Sequence, residues 1–409
     1  MRTGIGVGVI GLGWMGQVHS RGYRRLLGHY PDCPFEPRLV MAADAVEARA
    51  RESAGRLGFE GWSTDWREVV EHPEVEAVSI TAPNYLHREI AVAAARTGKH
   101  VWLEKPCGRF PAETFEIEGA IEEAGVKSVI GLMYRHAPAV EYARELIAAG
   151  TLGEITHYRG FFLADYASDP NGALTWRYKR EYAGLGVLGD IMPHAVDMAQ
   201  SLLGPISSVC AQRDTFIRER PEVPMGMGTG HFVVEGGEMG PVENEDYVSS
   251  LVRFESGARG TLENSRVCVG PHVRMSFEAN GSRGALSWDF QRLNELEVYG
   301  VDATGDRGYR TVFAAPGMGD FGHFQPGAGV SMGYDDLKVT EAYKFLSSIA
   351  DGRQREPGIR EIASAMRVVE AMDRSCETGR WEAVEGTLSG GREASRAPAG
   401  ERGTGGNGA

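Results

Sequence analysis

The stretch Val7-Gly8-Val9-Ile10-Gly11-Leu12-Gly13-Trp14-Met15-Gly16 joins an apolar run to an amphipathic one through glycines spaced G-x-G-x-x-G. In a chain with 55 glycines that string alone is a weak signal. Its setting strengthens it. An apolar run from Ile5 to Ile10 precedes the glycines and a helical pattern from Met15 to about Leu27 follows them. This is the strand–turn–helix order that a dinucleotide fingerprint requires. Gly11 then serves the tight turn, Gly13 lets the backbone approach a pyrophosphate, and Gly16 lets the helix lie against the sheet. The helix N-terminus turns its unpaired N–H groups toward the phosphates.

A second apolar run, Arg38 to Ala43, ends in Asp44. A carboxylate there can accept hydrogen bonds from both ribose hydroxyls, or it can be the N-cap of the next helix. The interval from Gly16 is longer than the usual spacing of about twenty residues. The Pro- and Gly-bearing stretch from Gly28 to Pro37 reads as a loop insertion that accounts for it. Because a carboxylate repels a 2′-phosphate, NAD is favoured over NADP, while Arg49 and Arg51 keep NADP open.

With 409 residues the chain has room for two domains with cores of their own. A net charge of −13 argues against nucleic acid as a partner. The first strand starts within a few residues of Met1, which leaves no room for a signal peptide, and no apolar run approaches a membrane span. A cytoplasmic location is expected. Five scattered cysteines without a C-x-x-C pair read as free thiols, with no structural zinc and no disulfide framework.

Short apolar strands alternate with helical segments over residues 1–133, which predicts a doubly wound parallel sheet of the Rossmann type. The strands expected are Gly6–Ile10, Leu39–Ala43, Ala77–Thr81, His100–Leu103 and Ser128–Leu132. Residues 134–385 predict an α+β domain for substrate binding and oligomerisation. It rests on a large, mostly antiparallel sheet, with strands such as Glu154–Leu163, Tyr247–Phe254 and Val273–Ala279. A helix is expected from about Asp190 to Leu203, and two more near Val339–Ala350 and Arg360–Thr378. The Gly-, Ser- and Ala-rich residues 386–409 predict a disordered tail.

Two clusters carry chemistry. The strand His100–Leu103 runs into Glu104-Lys105-Pro106, placing a lysine at the carboxyl edge of the sheet, where open α/β sheets bind ligands. By itself, a lysine in a turn is more often a solvated surface group. The second cluster is the glycine-led Asp190-x-x-x-His194-x-x-Asp197. If a helix begins near Asp190, the three side chains share a face. They then read as a structural N-cap with a core histidine, as metal ligands with no convincing fourth partner, or as a general base with an orienting carboxylate.

Taken together, the fingerprint at Gly11, Gly13 and Gly16, the Glu104-Lys105-Pro106 turn, and Asp190, His194 and Asp197 resemble the Gfo/Idh/MocA family of sugar and cyclitol oxidoreductases in order and spacing. The likeness covers nearly the whole chain up to the tail. Ala164–Asn171 and Leu174–Tyr178, with Gly240-Pro241-Val242 and Arg307–Val312, look like the levoglucosan dehydrogenase branch of that family. That branch oxidises the hydroxyl on carbon three of a pyranose.

The resemblance implies NAD as cofactor, with NADP possible, and no metal. It implies Lys105, Asp190 and His194 as catalytic residues: His194 accepts the alcohol proton, Lys105 stabilises the developing alkoxide, and Asp190 holds the lysine and a neighbouring hydroxyl. Trp14 and Met15 within the fingerprint, Thr81, Pro83 and Asn84 in the loop after the strand at Ala77, and both Glu104 and Lys105 fall to the cofactor. His87 is grouped with that loop, although it is expected to pack or cap in the following helix. Tyr134, Tyr166, Trp176 and Arg177 fall to the substrate, although aromatic residues are as often core. The partners implied are a small sugar or cyclitol and further copies of the chain, as a dimer or tetramer. Two other functions remain in view: a glycosidase-type elimination that uses the cofactor without net turnover, and a non-catalytic nucleotide sensor.

Overall fold

The structure, a computed structural model, describes residues 2–224, 232–301 and 305–386. Six parallel strands form the first sheet: β1 Thr3–Ile10, β2 Phe35–Ala43, β3 Gly61–Ser63, β4 Ala77–Ile80, β5 His100–Leu103 and β6 Ser128–Ile130, in the order β3-β2-β1-β4-β5-β6. Between them run α1 Trp14–His29, α2 Glu47–Leu57, α3 Arg67–Glu71, α4 Asn84–Arg96 and α5 Pro111–Ala124. The order reverses between β1 and β4, and ligands bind at the carboxyl ends of strands at such a switch point. The three-residue strand β3 was too short to stand out in the sequence.

After α6 (Pro138–Ala148) the chain builds a nine-stranded sheet. Its strands are β7 Ile155–Ala164, β8 Ile206–Asp214, β11 Tyr247–Phe254, β12 Arg259–Ser265, β13 Val273–Gly281, β14 Ala285–Asp289, β15 Glu295–Val301, β16 Arg307–Phe313 and β17 Glu382–Ala383. All neighbours are antiparallel except β7 and β12. A separate pair, β9 Glu219–Pro221 and β10 Met239–Pro241, stands outside this sheet. Three helices precede β8: α7 Arg180–Ala183, α8 Val187–Asp190 and α9 Met192–Leu203.

The helix expected from Asp190 to Leu203 is therefore two. Pro193 has no N–H to give to the carbonyl four residues back, so α8 stops, Ile191 forms a turn between the two helices, and Pro193 enters the first turn of α9, where no such bond is required. Asp190 closes a short helix instead of capping a long one.

The last helices are α10 Tyr334–Asp351 and α11 Ile359–Thr378. The expected grouping of 134–385 places α10 with the second domain, but its packing corrects this. Val339, Ala342, Phe345 and Leu346 are buried in one cluster with Ile5, Val7, Tyr23 and Trp102, so α10 covers the parallel sheet. Helix α11 packs on β8 and α9. Apart from Gly386, the tail expected at 386–409 lies outside the described residues. All five cysteines are free. Among the described residues no helix is long and apolar enough to cross a membrane.

Candidate active site

The cofactor cradle is built by backbone. Gly11 has φ +89°, and a Cβ there would lie 2.6 Å from the Ala82 nitrogen, so both conformation and contact demand glycine. At Gly16 a Cβ would run into the Gly11 carbonyl oxygen, which brings α1 hard against the turn. Gly13 caps α1 without a side chain, and a Cβ there would meet nothing within 4 Å. The first N–H groups of α1 therefore face open space, as a pyrophosphate requires. Thr81 braces the turn, its hydroxyl donating to the Gly11 carbonyl at 2.5 Å. Trp14, largely exposed, rests against Tyr334 of α10 with ring centres 5.2 Å apart, and the Tyr334 hydroxyl lies 3.6 Å from Met15 Sδ.

Asp44 ends β2 beside this turn. Its Oδ2 accepts from Leu12 N at 2.8 Å and its Oδ1 from Val46 N at 2.9 Å, with Arg49 Nε 3.4 Å away. The N-cap of α2 is Val46, so the N-cap reading of Asp44 is corrected: the carboxylate ties the glycine turn to β2. Pro83 caps α4 by position, and Asn84 donates from Nδ2 to Ala183 O at 3.2 Å, joining the loop to the second domain. Its Oδ1 is buried and has no hydrogen-bond partner.

Two residues assigned to the cofactor are used otherwise. His87 has Nδ1 2.7 Å from Pro106 O and Nε2 2.7 Å from Ala82 O. With both ring nitrogens engaged by carbonyls, it links the two loops and holds none in reserve for a nucleotide. Glu104 turns inward: Oε1 lies 3.0 Å from His19 Nε2 and 2.5 Å from Lys338 Nζ. Burial would raise this carboxyl, but Lys338 and His19 outweigh it and keep Glu104 ionised. Lys338 also lies 2.8 Å from Glu341 Oε2. Just past the end of β5 the two neighbours part: Glu104 turns inward to His19 and Lys338, while Lys105 reaches Asp190.

Lys105 Nζ donates to Asp190 Oδ1 at 2.9 Å and to Asp190 O at 3.1 Å, across 85 residues of sequence. The Tyr166 hydroxyl reaches Asp190 Oδ2 at 3.5 Å. Burial alone would raise Asp190; Lys105, with Arg177 and His194, more than offsets it and holds the carboxyl at about 2. His194, in the first turn of α9, is buried, with Tyr134 edge-on at 4.8 Å and Phe162 at 5.8 Å between ring centres. Burial first, and Lys105 second, push its pKa well below 6.5, so the imidazole is neutral and can take up a proton. Arg177 stacks on Trp176 at 4.3 Å, and Tyr85 meets Trp176 edge-on at 5.7 Å. Asp197 does not join its neighbours. Arg135 holds it in a buried two-point pair, with Nε to Oδ2 at 2.9 Å, which removes it from any ligand set with Asp190 and His194.

Residues 5–132 match the oxidoreductase family with an NAD-binding Rossmann fold, and residues 140–287 match the Gfo/Idh/MocA C-terminal domain. The chain belongs to the Gfo/Idh/MocA family. Among curated relatives, levoglucosan dehydrogenase of Pseudarthrobacter phenanthrenivorans is 35% identical over 92% of this chain and 97% of that one. The scyllo-inositol 2-dehydrogenase (NAD(+)) of Bacillus subtilis is 29% identical over 68% and 72%. A solved levoglucosan dehydrogenase in complex with NADH and levoglucosan superposes with a TM-score of 0.87, at 34% identity over 94% of this chain and 100% of the other. This Gfo/Idh/MocA member thus keeps the family's NAD-binding fold along with the open cradle at Gly13.

His19, Lys338 and Glu341 escaped the sequence reading. Lys338 and Glu341 stand three apart on a helix, the spacing of an ordinary solvated surface pair, and nothing local marks them as buried.

Proposed function

We propose that this chain oxidises a secondary hydroxyl of a pyranose, anhydrosugar or glycoside, with the hydroxyl on carbon three as the first choice. The match to the NAD-binding oxidoreductase family together with the levoglucosan and inositol dehydrogenase relatives supports an NAD-dependent sugar or cyclitol dehydrogenase. The finer reading rests on one observation above the rest: a lysine paired to Asp190 beside a buried histidine held neutral. In this reading Lys105 donates to the substrate oxygen and its charge stabilises the alkoxide as the proton leaves. His194 accepts that proton. Asp190 keeps Lys105 aimed and takes a hydrogen bond from a neighbouring hydroxyl. Gly11, Gly13 and Gly16 would hold the pyrophosphate and Asp44 the adenine ribose of NAD, which supplies the two-electron acceptor when bound. Tyr166, Trp176 and Arg177 form the sugar-side wall, and Tyr134 packs behind His194.

A panel of monosaccharides, anhydrosugars, glycosides and inositols, each mixed with NAD or NADP, tests this. The expected result is NAD reduction with an anhydrosugar or pyranose. Reduction with inositols alone moves the assignment to a cyclitol, the direction in which the inositol dehydrogenase relatives point. Binding of NAD with no reduction by any polyol leaves the nucleotide sensor.

The pH profile has a definite sign. A base must be unprotonated to work, and His194 is pushed below 6.5, so kcat/KM should be flat through neutrality and fall only on the acid side, well below pH 6.5. An acid limb centred at or above 6.5 would remove His194 from the role.

The same proposal includes self-association. Leu251, Tyr309 and Phe313 lie exposed on the face of the nine-stranded sheet turned away from the core, where apolar side chains suit contact with a second copy. A cytoplasmic location belongs with it, since free cysteines suit a reducing compartment.

A further inference from the structure

Arg220 on β9 is fully buried, yet among the described residues it forms no ion pair. Its guanidinium is aimed at main-chain carbonyls instead. Nη1 donates to Asp169 O at 2.7 Å and Gly172 O at 3.5 Å, Nη2 donates to Ala167 O, and Nε has no partner. Asp246 and Asp169 act on it only at longer range, and burial outweighs them, so burying this cation costs stability, which is sensible where holding those carbonyls matters.

The loop it holds carries the proposed sugar-side wall. Tyr166, whose hydroxyl reaches Asp190, comes immediately before Ala167; Trp176 and Arg177 follow Gly172. The loop is sewn to the β9–β10 segment by Leu174 N to Pro221 O at 2.7 Å, Ala173 N to Phe232 O at 2.8 Å and Val234 N to Asn171 O at 2.9 Å. Tyr178, at its far end, has the Arg220 guanidinium 4.4 Å and the Arg266 guanidinium 4.6 Å from its ring centre. Arg266 is fixed by Asp246 at 2.7 Å and Asn244 Oδ1 at 2.9 Å, and Asn244 Nδ2 donates to Arg177 O at 2.9 Å. Both ends of the wall thus hang on buried arginines, and Arg220 grips its middle. Gly172 fits the grip closely, since a Cβ there would lie 2.8 Å from Arg220 Nη1.

We propose that Arg220 is a positioning residue for substrate selection: by clamping residues 167–172 it sets how Tyr166, Trp176 and Arg177 meet a sugar, and so which hydroxyl faces His194. This rests on the sugar dehydrogenase reading above. Arg220 touches neither substrate nor cofactor and acts through the loop alone.

The test uses Arg220→Met, Arg220→Lys and Gly172→Ala in the full chain, the last two serving if the first does not fold. Sugar KM should rise by about tenfold or more and the rank order of sugars should change, while KM for NAD stays within about twofold. Amide hydrogen exchange should quicken in residues 165–178 and stay unchanged in the parallel sheet. Unchanged exchange in that loop, or a KM for NAD that rises as much as the sugar KM, overturns the proposal. The exchange readout needs no substrate. If the wild-type chain oxidises no sugar, the functional reading fails, while quickened exchange confined to 165–178 still upholds the clamp.

Discussion

His194→Ala and Lys105→Ala should each lower kcat by about a hundred- to ten-thousand-fold while NADH still titrates both variants with near wild-type affinity. The two losses have different causes. Without His194 the alcohol proton has no neutral acceptor in the buried crevice. Without Lys105 the alkoxide has no cation beside it, and Asp190 loses the partner that holds its carboxyl at about 2. Because the two act on one oxygen, the double variant should fall well short of the product of the single effects. Stopped-flow reduction of NAD with a saturating sugar measures each. Turnover within about threefold of wild type in either variant would end that residue's catalytic assignment.

Lys338→Met should destabilise the protein by about 3–5 kcal/mol, far more than an average lysine substitution. Lys338 is buried between Glu104 and Glu341. One ammonium cannot serve two carboxylates equally. Glu104 stays ionised, helped by His19, whereas burial lifts Glu341 to about 7 despite Lys338. Removing the cation strands a buried carboxylate directly before Lys105 in sequence, so activity should fall along with stability. Urea unfolding gives the number, and adding Glu104→Gln should recover part of it by removing the uncompensated charge. A loss below about 1 kcal/mol would show that water or a rearranged partner reaches the site.

The residues that sequence reasoning located best were those whose role is written in local backbone. Gly11, Gly13 and Gly16 perform the turn, the open approach and the close packing that their spacing implies. The Glu104-Lys105-Pro106 turn lies at a strand end as expected. Less was legible where a side chain's direction depends on a partner that the local pattern does not show. Glu104 and His87 share loops with the cofactor cradle, yet one is drawn inward by Lys338 and the other is spent on two carbonyls. Asp197 shares a spacing with His194 but is claimed by Arg135. Lys338 lies 234 residues from Glu104 and Arg135 lies 62 from Asp197, beyond any periodicity, while His87 is taken up by Ala82 and Pro106 through a ring orientation that no spacing encodes.

What the amino-acid order determined unaided was the glycine-turned cradle and the two-sheet architecture, because strand periodicity and glycine conformation are local properties; it singled out Lys105, Asp190 and His194 as candidates, and their proposed roles came from family resemblance. Only the tertiary structure decided that α10 covers the parallel sheet, that Lys338 neutralises Glu104 from behind, and that Arg220 grips the sugar-side loop. The first follows from burying the apolar face of α10, and the other two from burying charges whose partners, a carboxylate for Lys338 and main-chain carbonyls for Arg220, come from whatever the fold brings near.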